Sequence, residues 1–121
     1  MKHKKSDNFK TRSVSSSLVR FAFDFQPEFV SDEVKQIAQL SLFDWFLVSV
    51  AGQTEPVSNI IRGQIKSDGG TEECTVIGTT QRFPARASAL ANGTISHALD
   101  YDDTHFAYLG HPSVAIIPAA I

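Results

Sequence analysis

Three of the four histidines, His97, His105 and His111, fall within fifteen positions, interleaved with Asp100, Tyr101, Asp102, Asp103, Thr104 and Tyr108. No other segment is comparably rich in groups that move protons. Imidazole can exchange a proton near neutral pH, and an adjacent Asp can orient the ring and hold one tautomer. The segment reads as a helix end followed by the loop before another helix. Such loops position side chains on a rigid frame, and the backbone N–H groups at Pro112-Ser113-Val114 would favour a carboxylate. The pattern therefore suits acid/base chemistry on an acidic substrate.

Each residue also has a plainer reading. His97 serves equally well as a hydrogen-bonded histidine at a helix end, and Asp100 as a cap for nearby N–H groups. Asp102 and His105 read as exposed side chains, and Thr104 as a cap or a substrate contact. His111, directly before Pro112, is the leading candidate for chemistry. His and Asp are both metal ligands, but the spacing matches no standard zinc, EF-hand or facial-triad signature. Asp102 and Asp103, adjacent in the chain, cannot both reach one ion without strain. The expectation is a site without metal or organic cofactor.

The elements that must hold these residues follow from periodicity. Leu18, Phe21 and Phe25 predict a short helix over 17–25, ended by Pro27. Ser31 as N-cap, Asp32 and Glu33 at the positive end of the helix dipole, and Gly52 as a stop predict a long helix over 32–51. Val34, Ala38, Leu42 and Trp45 form one apolar stripe, and Leu40, Phe43, Leu47 and Val50 another, so this helix should be wrapped by several others. Trp45 and Asp44 are assigned to packing and its polar satisfaction. Thr54 as cap and Pro56 in the first turn predict a third helix with Val57, Ile60, Ile61 and Ile65 on its core face, ending at Gly69-Gly70. Residues 74–77 read as a short, buried strand with no evident partner. Pro84 opens an alanine-rich helix toward Leu99, in which Gly93 permits close packing, and Pro112 begins a last apolar helix over 114–121. The fold class is mainly α, a multihelical bundle-like domain with at most one short strand.

With 121 residues, 42% hydrophobic and 20% charged, and a net charge of −2, the composition is that of an ordinary globular domain. It excludes a disordered tail and gives no support to a nucleic-acid binder. A single cysteine, Cys74, excludes a disulfide scaffold or a zinc finger and makes a reducing compartment the default. The apolar run 40–51 is shorter than the roughly 20 residues of a membrane span. Residues 1–20 carry six basic residues against Asp7 alone. This start reads as a loose basic tail over 1–13, in a cytoplasmic protein; a mitochondrial presequence is the alternative. The last helix has no cap and the long helix asks for more partners than the chain offers. These features lead us to expect an N-terminal part of a larger helical domain over 14–121.

The run Ala91-Asn92-Gly93-Thr94-Ile95-Ser96-His97-Ala98-Leu99-Asp100-Tyr101-Asp102-Asp103-Thr104, followed by His111-Pro112-Ser113, resembles the MmgE/PrpD family. Leu42-Phe43-Asp44, Ala51-Gly52 and Val76-Ile77-Gly78 extend the resemblance over roughly residues 16–121. The family includes 2-methylcitrate dehydratase, cis-aconitate decarboxylase and iminodisuccinate epimerase. The resemblance implies a large helical domain with a smaller α+β lid inserted later in the chain, a homodimer, and no cofactor. By motif position it makes His111 a proton-transfer group, Asp100 its orienting or acid/base partner, and Thr104 a donor to a substrate carboxylate. His97 and Asp103 are expected as further substrate contacts. Two departures stand out. Family members are several times longer, with further active-site histidines and lysines beyond Ile121, and the segment 105–110 is long and aromatic, which puts the placement of His111 against Asp100 in question.

The leading expectation is a dehydratase-type lyase acting on a small di- or tricarboxylic acid such as 2-methylcitrate. Decarboxylation and epimerisation could use the same acid/base set. The rivals are a truncated helical module without catalysis and, third, a metal hydrolase. Neither nucleic acid nor membrane is an expected partner.

Overall fold

The computed structural model describes residues 13–107 and 109–121. The basic stretch read as a loose tail lies outside the described residues except for Ser13. The described residues divide into two compact units, 13–32 and 33–121. In the first, α1 (Val14–Asp24) starts three residues before the predicted helix. Ser13 causes this: its hydroxyl accepts the Ser16 N–H at 3.2 Å and so supplies an N-cap. Phe21 and Phe25 stack one turn apart at 6.1 Å between ring centroids, and a single 3-10 turn, Pro27–Phe29, follows.

The second unit holds the site. Helix α2 (Asp32–Gly52) covers the predicted span. Its apolar stripes, assigned to a wrapped core, instead stand open, with Leu40 67% and Phe43 61% exposed, because among the described residues few elements lie against it. Asp44 is exposed too and plays no part in packing. Trp45 is buried as expected, with its indole N–H lacking a described partner. Gly52 is more than a stop. A Cβ there would lie 2.5 Å from the Ile95 carbonyl oxygen and 3.2 Å from Ala98 Cβ, so the end of α2 can approach the segment around Ile95 only without a side chain.

Thr54 does not cap the next helix. The N-cap of α3 (Pro56–Asp68) is Glu55 without a side-chain bond, and Pro56 at the first position needs no donor partner. Gly69, at φ 66°, ends it as predicted. The Ser58 hydroxyl donates to the Gly52 carbonyl at 2.7 Å, fastening the start of α3 to the end of α2.

The strand has a partner after all. β1 (Cys74–Thr75) pairs antiparallel with β2 (Arg82–Phe83), Cys74 opposite Phe83 and Thr75 opposite Arg82. Two-residue strands carry too little alternation to be seen in sequence, which is why β2 was missed. The hairpin survives because α4 (Ala85–Ser96) supplies polar anchors one turn apart. Ser88 donates to the carbonyls of Cys74 and Phe83, and the buried Asn92 side chain accepts from Ile77 N–H at 2.9 Å and donates to the Thr75 carbonyl at 3.1 Å. Arg62 holds the following turn by donating to the carbonyls of Ile77 and Gln53. Ile65, Val76, Phe83, Ala91 and Ile95 form the core between α3, the hairpin and α4. Cys74 itself is only half-buried.

Helix α5 (Ser113–Ala120) crosses α4 at Gly93. Pro118 has no N–H to give the Val114 carbonyl four residues back, and that carbonyl oxygen lies 2.9 Å from where a Gly93 Cβ would stand. The proline frees the carbonyl and the glycine makes room for it. The fold is thus mainly α, five α-helices and one small hairpin among the described residues.

The tighter of the two glycine contacts yields a stability prediction. Gly52→Ala gains at most about 1 kcal/mol of helix propensity, but its methyl meets a backbone oxygen that cannot swing aside. Such overpacking costs about 1–3 kcal/mol or more. We expect a net loss of about 2 kcal/mol by denaturant unfolding; equal or higher stability would mean that the α2–α4 approach is looser than described.

Candidate active site

Helix α4 ends at His97, its C-cap. Asp100 then adopts φ 56°, a left-handed conformation that Asp tolerates better than most residues. This reversal sets the Asp100 carboxylate against the two histidines and turns the next acidic residue inward. Asp102, read from sequence as exposed, is 4% exposed and its carboxylate is fully buried.

Four side chains form a ring. His97 Nδ1 lies 2.8 Å from Asp102 Oδ1. His111 Nδ1 lies 3.1 Å from the Asp102 carbonyl oxygen and 3.4 Å from its Oδ2. On the opposite side, Asp100 Oδ1 is 3.4 Å from His111 Nε2 and 3.9 Å from His97 Nε2. The imidazoles meet edge to face at 4.8 Å between centroids. A carbonyl only accepts, so His111 Nδ1 carries hydrogen; an ionised Asp102 requires the same of His97. In their neutral forms both rings therefore present the Nε2 lone pair toward Asp100. Asp102 is buried and His97 and Asp100 are exposed, so the ring has a fixed inner side and an open outer one.

The long loop does not displace His111. His105 N–H donates to the Gly110 carbonyl at 2.9 Å and Leu109 N–H to the His105 carbonyl at 2.8 Å. The bridge closes the loop at its neck, and Phe106 and Leu109 project outward at 87% exposure each. Tyr108 lies outside the described residues. The extra length is thus absorbed before His111, which still reaches Asp100.

The profile of the MmgE/PrpD N-terminal domain matches residues 16–121. The chain belongs to the MmgE/PrpD family. It is similar to the cis-aconitate decarboxylase-like protein oryM of Aspergillus oryzae, 26% identical over 114 residues. The alignment covers 94% of this chain but 24% of that relative, so the chain spans about a quarter of the relative's length.

Within this MmgE/PrpD chain the remaining candidates separate. Asp103 holds the start of α5: its carboxylate accepts from Ser113 N–H at 3.1 Å and from the Ser113 hydroxyl at 2.7 Å. The Ser113 N–H that sequence offered to a substrate carboxylate is thereby already engaged by an internal one. Thr104 and His105 are exposed and stand outside the ring. An apolar groove of about 640 Å³, lined by Val57, Leu90, Gly93, Ala98 and Val114, includes His97 in its wall. No helix among the described residues is long and apolar enough to cross a membrane.

Proposed function

We propose that the Asp102–His97–Asp100–His111 ring transfers protons beside a carboxylate of a small di- or tricarboxylic acid, as part of a lyase. The observation that carries this is His111 Nε2 at 3.4 Å from Asp100 Oδ1, with its Nδ1 held on the Asp102 side. In this reading His111 is the proton-transfer residue and Asp100 its partner. Asp102 is a positioning residue, and Thr104, exposed on the same loop, donates to a substrate carboxylate.

Among the reactions open to this set, the name of the Aspergillus relative favours decarboxylation of a cis-aconitate-type acid over the dehydration expected from sequence. In decarboxylation the bond from carbon to a carboxylate breaks, carbon dioxide leaves, and the carbon takes the Nε2 proton of the imidazolium form of His111, which is left neutral with its hydrogen on Nδ1. Further groups that bind the acid lie outside this chain's ring. The homodimer implied by the family is part of the same proposal.

Product identification with the full protein decides between these outcomes. Offered cis-aconitate and 2-methylcitrate in separate reactions, it should release carbon dioxide from the first. An unsaturated product from the second alone would restore dehydration, and no turnover of any small polycarboxylate would overturn the lyase reading. Light scattering should show twice the chain mass; a monomer would remove the dimer.

A further inference from the structure

The geometry points to a divalent transition-metal site on the outer side of the ring, formed by His97 Nε2, His111 Nε2 and a carboxylate oxygen of Asp100. With both Nδ1 atoms turned to Asp102, two nitrogen lone pairs and an anionic oxygen face one another, Asp100 Oδ1 being 3.4 and 3.9 Å from the two nitrogens. Asp100 Oδ1 and each Nε2 lone pair repel at that range unless a hydrogen or a cation lies between them. A proton answers for one of these two contacts at a time; a metal ion answers for both. At bond lengths near 2.1 Å, tetrahedral ligands stand roughly 3.4 Å apart, close to the observed separations. One ligand atom from each of His97, Asp100, Asp102 and His111 lies within 4.8 Å of every other.

A second observation comes from inside. Asp102 Oδ2 is buried without a hydrogen bond, the only such carboxylate oxygen among the described residues. A buried carboxylate between two neutral imidazoles is poorly compensated. An ion on the Nε2 atoms would polarise both Nδ1–H groups toward Asp102, the arrangement in which a carboxylate behind a ligating histidine raises its basicity. Two nitrogens and one carboxylate suit zinc, cobalt or ferrous iron rather than magnesium or calcium. The outer positions stay open, since Asp100 and His97 are 77% and 46% exposed at their side chains. The sequence expectation of no metal rested on a spacing that matches no standard signature and on Asp102 and Asp103 competing for one ion; in the structure Asp103 is bound to Ser113 and Asp102 stands behind the ligands. On the proposed chemistry such an ion would inhibit, because it occupies the His111 lone pair. Binding itself does not depend on that chemistry.

Cobalt(II) titration of chelator-treated protein, followed by visible absorbance, tests the site without an activity assay. One Co²⁺ per chain should bind and be displaced by Zn²⁺. His97→Gln and Asp100→Asn should each abolish the saturable band, and Asp102→Asn should weaken binding on the order of 10- to 100-fold. His105→Gln, outside the ring, should leave it unchanged. Circular dichroism confirms folding of each variant, and Asp100→Asn, whose amide tolerates the left-handed backbone, provides the reading if His97→Gln unfolds. No saturable band in the parent protein, or undiminished binding in Asp100→Asn, overturns the site.

Discussion

His111→Gln lowers turnover of the acid substrate by on the order of 10²- to 10⁴-fold, the usual worth of a positioned acid/base group, while helix content and unfolding midpoint stay near those of the parent. Glutamine fills similar space and can still donate to the Asp102 carbonyl, so the loop keeps its anchor. It cannot exchange a proton near neutral pH. If His111 only packs the loop, the result inverts: turnover survives and stability falls. The side chain is one-quarter exposed, and its Nε2 faces Asp100 on the open side. A loss confined to KM would move His111 from proton transfer to substrate binding.

Asp102→Asn has a comparable effect through a different route. The Asp102 carboxylate is fully buried and in contact with Nδ1 of both imidazoles. Replacing one oxygen by an amide nitrogen sets a donor against a donor at one of these contacts. Relief comes by flipping a ring or by moving its proton to Nε2, and either removes the lone pair from the working side. A neutral tautomer turned the wrong way costs on the order of 10⁴-fold in the best-studied catalytic triads; here we expect about 10³-fold in kcat with little change in KM. A variant that unfolds would instead be judged by Asp102→Glu, which restores the charge. A stably folded Asp102→Asn protein with full activity would remove Asp102 from the account.

Much of the frame was legible because it rests on local chemistry. Asp32 and Gly52 bound α2, Gly69 ends α3 and Pro84 opens α4, each acting through its own backbone preferences. The family was legible from the run between Ala91 and Ser113, since a motif of that length survives changes elsewhere. His111 is legible from residue type and its place before Pro112, and Asp100 as its partner from the family resemblance; the structure brings them together. What sequence could not show were consequences of one backbone reversal and several long-range contacts. The left-handed Asp100 turns Asp102 from solvent to interior, and no periodicity applies in a loop to signal it. Gly52 read as a stop because the Ile95 carbonyl it admits is far away in sequence. The partner of β1 escaped notice because its two residues are held by Ser88 and Asn92, polar side chains that a hydrophobic pattern ignores.

The central claim is that Asp102 fixes both imidazoles with hydrogen on Nδ1 and the lone pair on Nε2. Nitrogen-15 NMR of histidine-labelled protein reads this directly, above the pH at which the rings lose their charge. The account predicts that His97 and His111 are both Nδ1–H tautomers and that Asp102→Asn shifts at least one of them, while exposed His105 follows the solution preference for Nε2–H. Nε2–H tautomers at both His97 and His111 in the parent protein would contradict it, since the lone pairs would then point inward and the outer side would hold neither a base nor a metal ligand.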